Sequence, residues 1–467
     1  MQRTSTLPPG PSTPALAQTM HWLLAPVAFM ESCRRRHGDA FTVRFVGFEQ
    51  PMVLISDPAA IRALYAQREQ RLPPGRFLTL RPMVGPDSLL LIEGAGHLER
   101  RRMMLPPFHG ERMRGFEETM REIAESEIAA WPEGGEVALQ PLTRALTLEV
   151  ILRLVAGVTD PGRLERMRAL IPHVLDAGTS VSISVRVLIA GRLRRSDPLA
   201  ALSEQIRELD GHLLDEIAER RARGQGDGED VLSMLLAARF EDGGGMSDWE
   251  LRDQIVTLLV AGHETTATAL AWAFDLLTHN GPALERLIEE VRGGERDDWM
   301  RAVIAETLRL RPIVPLAGRR LAAELECDGF TLPAGTDVSP AIWLTHTRAD
   351  LYEAPYAFRP ERFLEEPPAT YAWIPFGGGV RRCLGAAFAE LEMRVVLRAV
   401  LERFELTSTH GSERVMRRGP TLAPRHGTRV RLRRVHTSSD GRSPRSASAS
   451  STRGSAAAVR RHEPSEP

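Results

Sequence analysis

The chain has 467 residues, 43% of them hydrophobic, which is enough to bury a large core, and its formal net charge is -1. That balance excludes nucleic-acid affinity arising from charge alone, and the 60 basic side chains are all arginine, so every basic contact is a planar, multidentate one. Three cysteines, Cys33, Cys327 and Cys383, exclude a disulfide framework and suit a reducing cytoplasm.

The first elements are short. Leu7-Pro8-Pro9-Gly10-Pro11 is a proline-rich lead, which sets residues 1–10 apart from the rest of the chain. Trp22 to Met30 is apolar but is broken by Pro26 and falls short of the about twenty continuous apolar residues of a membrane span, so no span is expected. Between residues 11 and 436 no internal repeat or long low-complexity linker interrupts the chain, which predicts one large domain. From 437 to 467 the composition turns to Ser, Ala, Arg, Gly and Pro without periodic hydrophobics. Such a stretch cannot bury enough to offset its ordering entropy, and it reads as a disordered tail.

Gly96-His97-Leu98-Glu99-Arg100-Arg101-Arg102 leads into an apolar, proline-containing stretch from Met103 to Phe108, and His97 and Arg101, four apart, share a helix face. The clearest helix opens at Ser247-Asp248-Trp249-Glu250, a capping box. It runs through Ile255, Leu258, Leu259, Leu270 and Phe274 to a stop at Asn280-Gly281-Pro282, a span of about 45–50 Å. Its centre, Leu258-Leu259-Val260-Ala261-Gly262-His263-Glu264-Thr265-Thr266, breaks the pattern. Gly262 is a poor helix-interior residue, and Glu264 and Thr265 set polar groups between apolar turns, a local conflict of the kind that marks function.

Glu306-Thr307-Leu308-Arg309, flanked by Val303, Ile304 and Leu310, predicts an amphipathic helix ended by Pro312, with Glu306 and Arg309 paired on one face. Phe358-Arg359-Pro360-Glu361-Arg362-Phe363 comes next. After it stands Phe376-Gly377-Gly378-Gly379-Val380-Arg381-Arg382-Cys383-Leu384-Gly385, one cysteine in a glycine-rich loop. A single thiolate there can hold a haem iron from below, and glycines let backbone approach the porphyrin and aim N–H groups at the sulfur. Arg429-Val430-Arg431-Leu432 reads as a closing strand.

In this order and spacing the four motifs resemble those of cytochrome P-450 haem-thiolate monooxygenases, and the resemblance runs from Leu7 to Leu432. It implies a mainly α fold with small β-sheets (α+β), haem b as cofactor and Cys383 as axial ligand of its iron. By resemblance, Phe376, Gly377, Arg381 and Gly385 belong to the ligand loop, and Ala261 and Gly262 leave a groove for dioxygen. Glu264 and Thr265 would steer protons through water. His97, Arg101, Arg319 and Arg381 match the family's donors to the haem propionates, although Arg100, Arg102 and Arg320 stand beside them and can exchange roles. Arg362 would join Glu306 and Arg309 in a buried network serving folding and haem incorporation rather than catalysis.

No Gly-rich dinucleotide fingerprint or cysteine cluster is present, so electrons must come from separate proteins. Resemblance to soluble bacterial members implies a monomer served by a ferredoxin and its NAD(P)H-dependent reductase; the surface near Arg381 and Arg382 suits an acidic ferredoxin, with Arg381 itself expected to be spent on haem. Candidate pocket segments are 77–91, 171–199, 258–261, 313–316 and 421–423. They are mainly aliphatic and predict an apolar small-molecule substrate, a fatty acid or a terpenoid- or steroid-like compound, hydroxylated at a C–H bond. Arg76 or Arg81 would hold a carboxylate or stand as solvated loop arginines. Competing readings are peroxide-driven oxygenation or isomerisation, whose family members tend to lack the acid–threonine pair, and a non-enzymatic haem-thiolate sensor.

Overall fold

Helices α1 (Ala15–Leu24) and α2 (Pro26–His37) divide at Pro26, which takes the first helical position of the second and has no N–H to lose there. This computed structural model describes residues 7–67, 71–73, 81–179, 200–224, 228–294 and 296–435. The tail at 437–467, Arg76 and most of the 171–199 segment lie outside the described residues. Residues up to Arg434 belong to one compact unit.

The remaining helices are α3 (Pro58–Ala66), α4 (Arg81–Val84), α5 (Gly94–Met104), α6 (Arg112–Ala129), α7 (Leu139–Leu154), α8 (Pro161–Thr179), α9 (Ala200–Arg223) and α10 (Val231–Ala237). After them come α11 (Asp248–Thr278), α12 (Gly281–Gly293), α13 (Asp298–Leu310), α14 (Ile342–His346), α15 (Arg362–Glu365) and α16 (Ala386–Arg403). Among the described residues no helix is long and apolar enough to cross a membrane.

The axis of the fold is α11. Its capping box forms as the sequence predicts: Ser247 Oγ accepts the Glu250 N–H at 3.2 Å, and Glu250 Oε2 accepts the Ser247 N–H at 2.9 Å. Asn280 ends the run by accepting the Ala283 N–H, which starts α12. Helix α7 packs along α11. From α7, the Thr147 hydroxyl donates to the His263 carbonyl at 2.9 Å and the Thr143 hydroxyl to the Ala267 carbonyl at 3.1 Å. Helices α13 and α16 pack against α11 elsewhere, and Trp272 Nε1 donates across to the Leu422 carbonyl.

The sheets are small. Strands β1 (Ala40–Val43), β2 (Met52–Ile55), β7 (Asp337–Pro340) and β4 (Arg319–Arg320) form one sheet in that order, with β2 and β7 parallel and the other pairings antiparallel. Strands β3 (Glu136–Ala138), β11 (Arg429–Arg434) and β8 (Phe404–Ser408) form a second. Two hairpins complete the set, β5 (Leu325–Cys327) with β6 (Phe330–Leu332) and β9 (Val415–Arg418) with β10 (Thr421–Pro424). The first turns on Asp328-Gly329, both at positive φ, the backbone that a two-residue hairpin loop demands. Cys33 and Cys327 are buried, and desolvation pushes their thiols up to about 11 and about 12, so both are unreactive core residues.

Candidate functional site

A cavity of about 420 Å³ lies between the cysteine loop and the middle of α11. The loop is shaped locally. The Cys383 N–H donates to the Phe376 carbonyl at 2.9 Å, and Gly377 sits at φ +67°, a left-handed conformation that suits glycine. The Cys383 thiol lines the cavity. Burial raises its pKa, while the Gly385 N–H and then the charges of Arg101 and Arg382 act in the opposite sense. A desolvated thiol of this kind becomes a thiolate when a cation binds it.

On the facing wall stand Ala261, Gly262, Glu264 and Thr265. The Thr265 hydroxyl donates to the Ala261 carbonyl at 2.7 Å. Gly262 borders the cavity, yet its missing side chain also serves packing: a Cβ there would come within 2.7 Å of Ile151 Cδ1 on α7.

Glu264 is held in a ring of charges. Arg144 Nε of α7 lies 2.6 Å from its Oε2, and Arg418 Nε of β9 lies 3.6 Å from its Oε1. Asp176 of α8 accepts from both guanidiniums, at 2.9 and 2.8 Å. Burial pushes the Glu264 carboxyl above its ordinary range, Arg144 and Arg418 pull it down, and Asp176 pushes it up again. Neither Arg144, Asp176 nor Arg418 carries a local sequence signal; only the fold brings them to Glu264.

His97, Arg101, Arg319 and Arg381 converge on the same cavity from α5, β4 and the cysteine loop. Burial lowers the pKa of all four, His97 to about 4 and Arg381 to about 10. His97 is lowered further by Arg381, Arg101 and Arg319, and Arg381 by Arg319 and Arg101. The neighbouring arginines are engaged elsewhere: Arg100 with Glu250, Arg102 with Glu241 at 3.0 Å, and Arg320 with Asp337 at 2.8 Å. A soft sulfur at the centre, cationic donors at one edge and an apolar wall including Phe108, Ile151, Leu308 and Phe388 fit a planar, iron-bearing dianion. The residues present therefore fit haem b.

Glu306, Arg309 and Arg362 lie off this cavity. The first two have no exposed surface at all. Arg309 Nε donates to Glu306 Oε2 at 2.6 Å, and Arg362 Nε to Oε1 at 3.1 Å. Arg309 also donates to the His346 and Pro355 carbonyls. His346, which the sequence did not flag, accepts the Ile374 N–H on Nε2 at 2.8 Å and approaches the Arg309 carbonyl with Nδ1 at 3.1 Å. Through it the network reaches the segment leading into the cysteine loop.

Every segment proposed for the pocket contributes to the wall: Met83, Leu89 and Leu90; Leu175; Leu258, Val260 and Ala261; Ile313, Val314 and Leu316; and Thr421. Arg81 is exposed and does not reach it.

A cysteine loop whose Cys383 opens onto an apolar cavity shared with an acid–threonine helix, in a mainly α fold with small sheets, defines a haem-thiolate oxygenase. The sequence profile of the cytochrome P450 family matches residues 8–429, and the chain belongs to that family; its cofactor is haem b. It is 41% identical over 437 residues to cytochrome P450 135B1 of Mycobacterium tuberculosis, with 91% of each chain covered. To cytochrome P450 137 of the same organism it is 39% identical over 406 residues, covering 85% of this chain and 84% of that one. Among solved structures, a retinoic acid-bound cyanobacterial CYP120A1 superposes with a TM-score of 0.79 at 28% identity, covering 92% of this chain and all of that one. The cytochrome P450DA heme domain shares the fold, with a TM-score of 0.81 at 24% identity over 93% of this chain and 99% of that one.

Proposed function

We propose that this haem-thiolate monooxygenase hydroxylates a C–H bond of an apolar small molecule, a fatty acid or a terpenoid- or steroid-like compound. In this reading Cys383 would hold the haem iron through its sulfur, and Glu264 and Thr265 are the catalytic pair. The observation that carries it is the placement of Cys383 and the Glu264–Thr265 pair on opposite walls of one largely aliphatic cavity. When bound, haem would supply the chemistry that activates dioxygen with two electrons and two protons, one oxygen atom entering the C–H bond and the other leaving as water.

The chain's own residues do the rest. The Cys383 sulfur would hold the haem iron and donate electron density to it. His97, Arg101, Arg319 and Arg381 bind the propionates and so fix the cofactor's orientation. Thr265 holds a proton-bearing hydroxyl at the cavity wall, and Glu264 supplies protons to it through water when one of its arginines lets go. The aliphatic wall excludes bulk water from the reacting C–H bond. Retinoic acid in the cyanobacterial relative is an isoprenoid chain with a carboxylate, which supports an apolar guest of that general kind here. We place the protein in the cytoplasm as a monomer that takes electrons from a ferredoxin and its NAD(P)H-dependent reductase, docking near Arg381 and Arg382.

The decisive experiment joins two spectra. Wild-type protein reduced under carbon monoxide should give the red-shifted thiolate band and Cys383→Ser should not; retention of the band in the variant refutes the ligand assignment. Titration of the ferric protein with fatty acids, terpenes and steroids then reads the substrate class from which compounds shift the main haem band to the blue. Steady, electron-dependent oxygen uptake with such a compound separates the enzyme from a sensor.

A further inference from the structure

The first turns of α11 carry a row of polar side chains where apolar ones would have completed the core. Asp253, Gln254 and Thr257 are buried, as is Arg252 before them. Asp253, Gln254 and Thr257 bear on residues 85–90. Asp253 Oδ2 accepts the Asp87 N–H at 2.9 Å. Gln254 grips the same segment twice, donating to the Asp87 carbonyl at 2.6 Å and accepting the Leu89 N–H at 3.1 Å. The Thr257 hydroxyl donates to the Asp253 carbonyl and pairs at 2.6 Å with the Ser88 hydroxyl, which in turn accepts the Leu90 N–H at 3.3 Å. Gly85, at φ +80°, lies so close that an added Cβ would fall 2.0 Å from Asp253 Oδ1. A second arm runs sideways: Arg252 Nη1 donates to Asp253 at 2.9 Å, while its Nε donates to Asp210 of α9 at 2.6 Å.

Satisfying loop amides is an ordinary need, but buried charges are an expensive way to meet it and are better suited to fixing one arrangement than to adding stability. What sets this row apart is which amides it holds. Leu89 and Leu90 are the residues whose side chains line the cavity, and each is anchored by its own N–H; Thr257 lines the cavity as well. We propose that Asp253, Gln254 and Thr257 are specificity-determining positioning residues, a rack that holds Leu89 and Leu90 rigidly over the cavity so that guests are selected by shape. The wall at this point cannot reshape itself around a bulky guest without breaking buried hydrogen bonds, and a slender guest is spared that cost.

This inference rests on the reading of the cavity as an apolar substrate site over an open iron face, and the test separates the two. Holoprotein is titrated with 4-n-hexylimidazole and with 4-(1-adamantyl)imidazole, whose nitrogen binds the iron and moves the main haem band to the red. Wild type should prefer the slender probe by about tenfold or more, the scale on which packed pockets discriminate apolar groups. Gln254→Leu, and independently Ser88→Ala, which removes the hydroxyl that accepts the Leu90 N–H and does not itself line the cavity, should bring the ratio within about threefold while the hexyl probe keeps its affinity. An unchanged ratio, an equal weakening of both probes, or a wild type that does not discriminate overturns the proposal. A wild type in which neither probe moves the band overturns the cavity reading itself.

Discussion

Thr265 spends its hydroxyl hydrogen on the Ala261 carbonyl, one turn back, leaving its oxygen lone pairs toward the cavity it lines. Removing that hydroxyl should leave the fold and the cofactor site intact and take away the last station for a proton. Thr265→Ala is therefore expected to bind haem normally, to consume electrons at a comparable rate and to release most of them as peroxide; product formed in full proportion to the electrons consumed rules the role out. Glu264 was legible in the sequence as a charge in an apolar helix. Its setting was not, because Arg144, Asp176 and Arg418 lie 120, 88 and 154 positions away and look like ordinary surface residues in their own segments. The same holds for the cavity-edge arginines Arg101, Arg319 and Arg381, where the sequence left Arg100, Arg102 and Arg320 as alternatives and only the three-dimensional pairing turns those three elsewhere.

At the scale of elements, α13, the segment around Arg362 and the approach to the cysteine loop meet at Glu306. Spacing alone puts Glu306 and Arg309 on one face, and it predicted an amphipathic, partly buried helix. Both side chains are in fact fully buried, because Arg309 also satisfies carbonyls at His346 and Pro355. An interior position changes the energetics. An exposed pair of this spacing contributes under about 1 kcal/mol, whereas stripping one partner from a buried, hydrogen-bonded set costs about 3–5 kcal/mol. Arg309→Met should thus lower the unfolding free energy of the holoprotein by that amount and reduce haem retained per chain, whereas Arg359→Met, whose side chain pairs with the exposed Glu353, should change it by less than about 1 kcal/mol. Equal losses in the two variants would contradict the structural role. His346 escaped notice because a histidine one turn from Trp343 reads like any core residue; its function is to accept the Ile374 N–H, and only an unprotonated Nε2 can do so.

For the whole molecule, the fully buried titratable groups set a pH of greatest stability. His263 and His346 ionise near 6.5 when unfolded and are held down by burial to about 4 and about 3 when folded. As pH falls below 6.5 the unfolded chain binds protons the folded one refuses, so each histidine removes about 1.4 kcal/mol per pH unit until its folded value is reached. Glu392, buried on α16 beside the Thr266 hydroxyl, works in the opposite sense: burial pushes its carboxyl up to about 8. Its protonated form favours the folded state below 4.5, and that advantage is lost as pH rises from 4.5 to 8. His97, held near 4 by burial, adds to the same limb; with the histidines outweighing the one carboxyl below 6.5 and the carboxyl alone above, stability should peak near pH 6.5. Urea midpoints at about pH 5, 6.5 and 8 test this, and Glu392→Gln should flatten the limb between 6.5 and 8; a wild type equally stable at all three values would show that these groups do not control the curve. The mainly α class and the placing of the ligand loop were readable from the family resemblance that the four ordered motifs carry, but which groups end fully buried depends on packing between helices that are remote in sequence.

The ion pairs of this protein share one trait: every cationic partner at Glu264, Asp253 and Glu306 is a guanidinium, since the chain contains no lysine. Guanidinium groups keep their charge where an ammonium would already have lost its own, so these pairs persist far into the alkaline range. The trait also has a covalent side. No side chain offers a primary amine, so an aldehyde or an activated ester released near the cavity finds no side-chain partner for a Schiff base or an amide. Side-chain Schiff-base formation, a common route of carbonyl damage to proteins, is thereby closed to this chain.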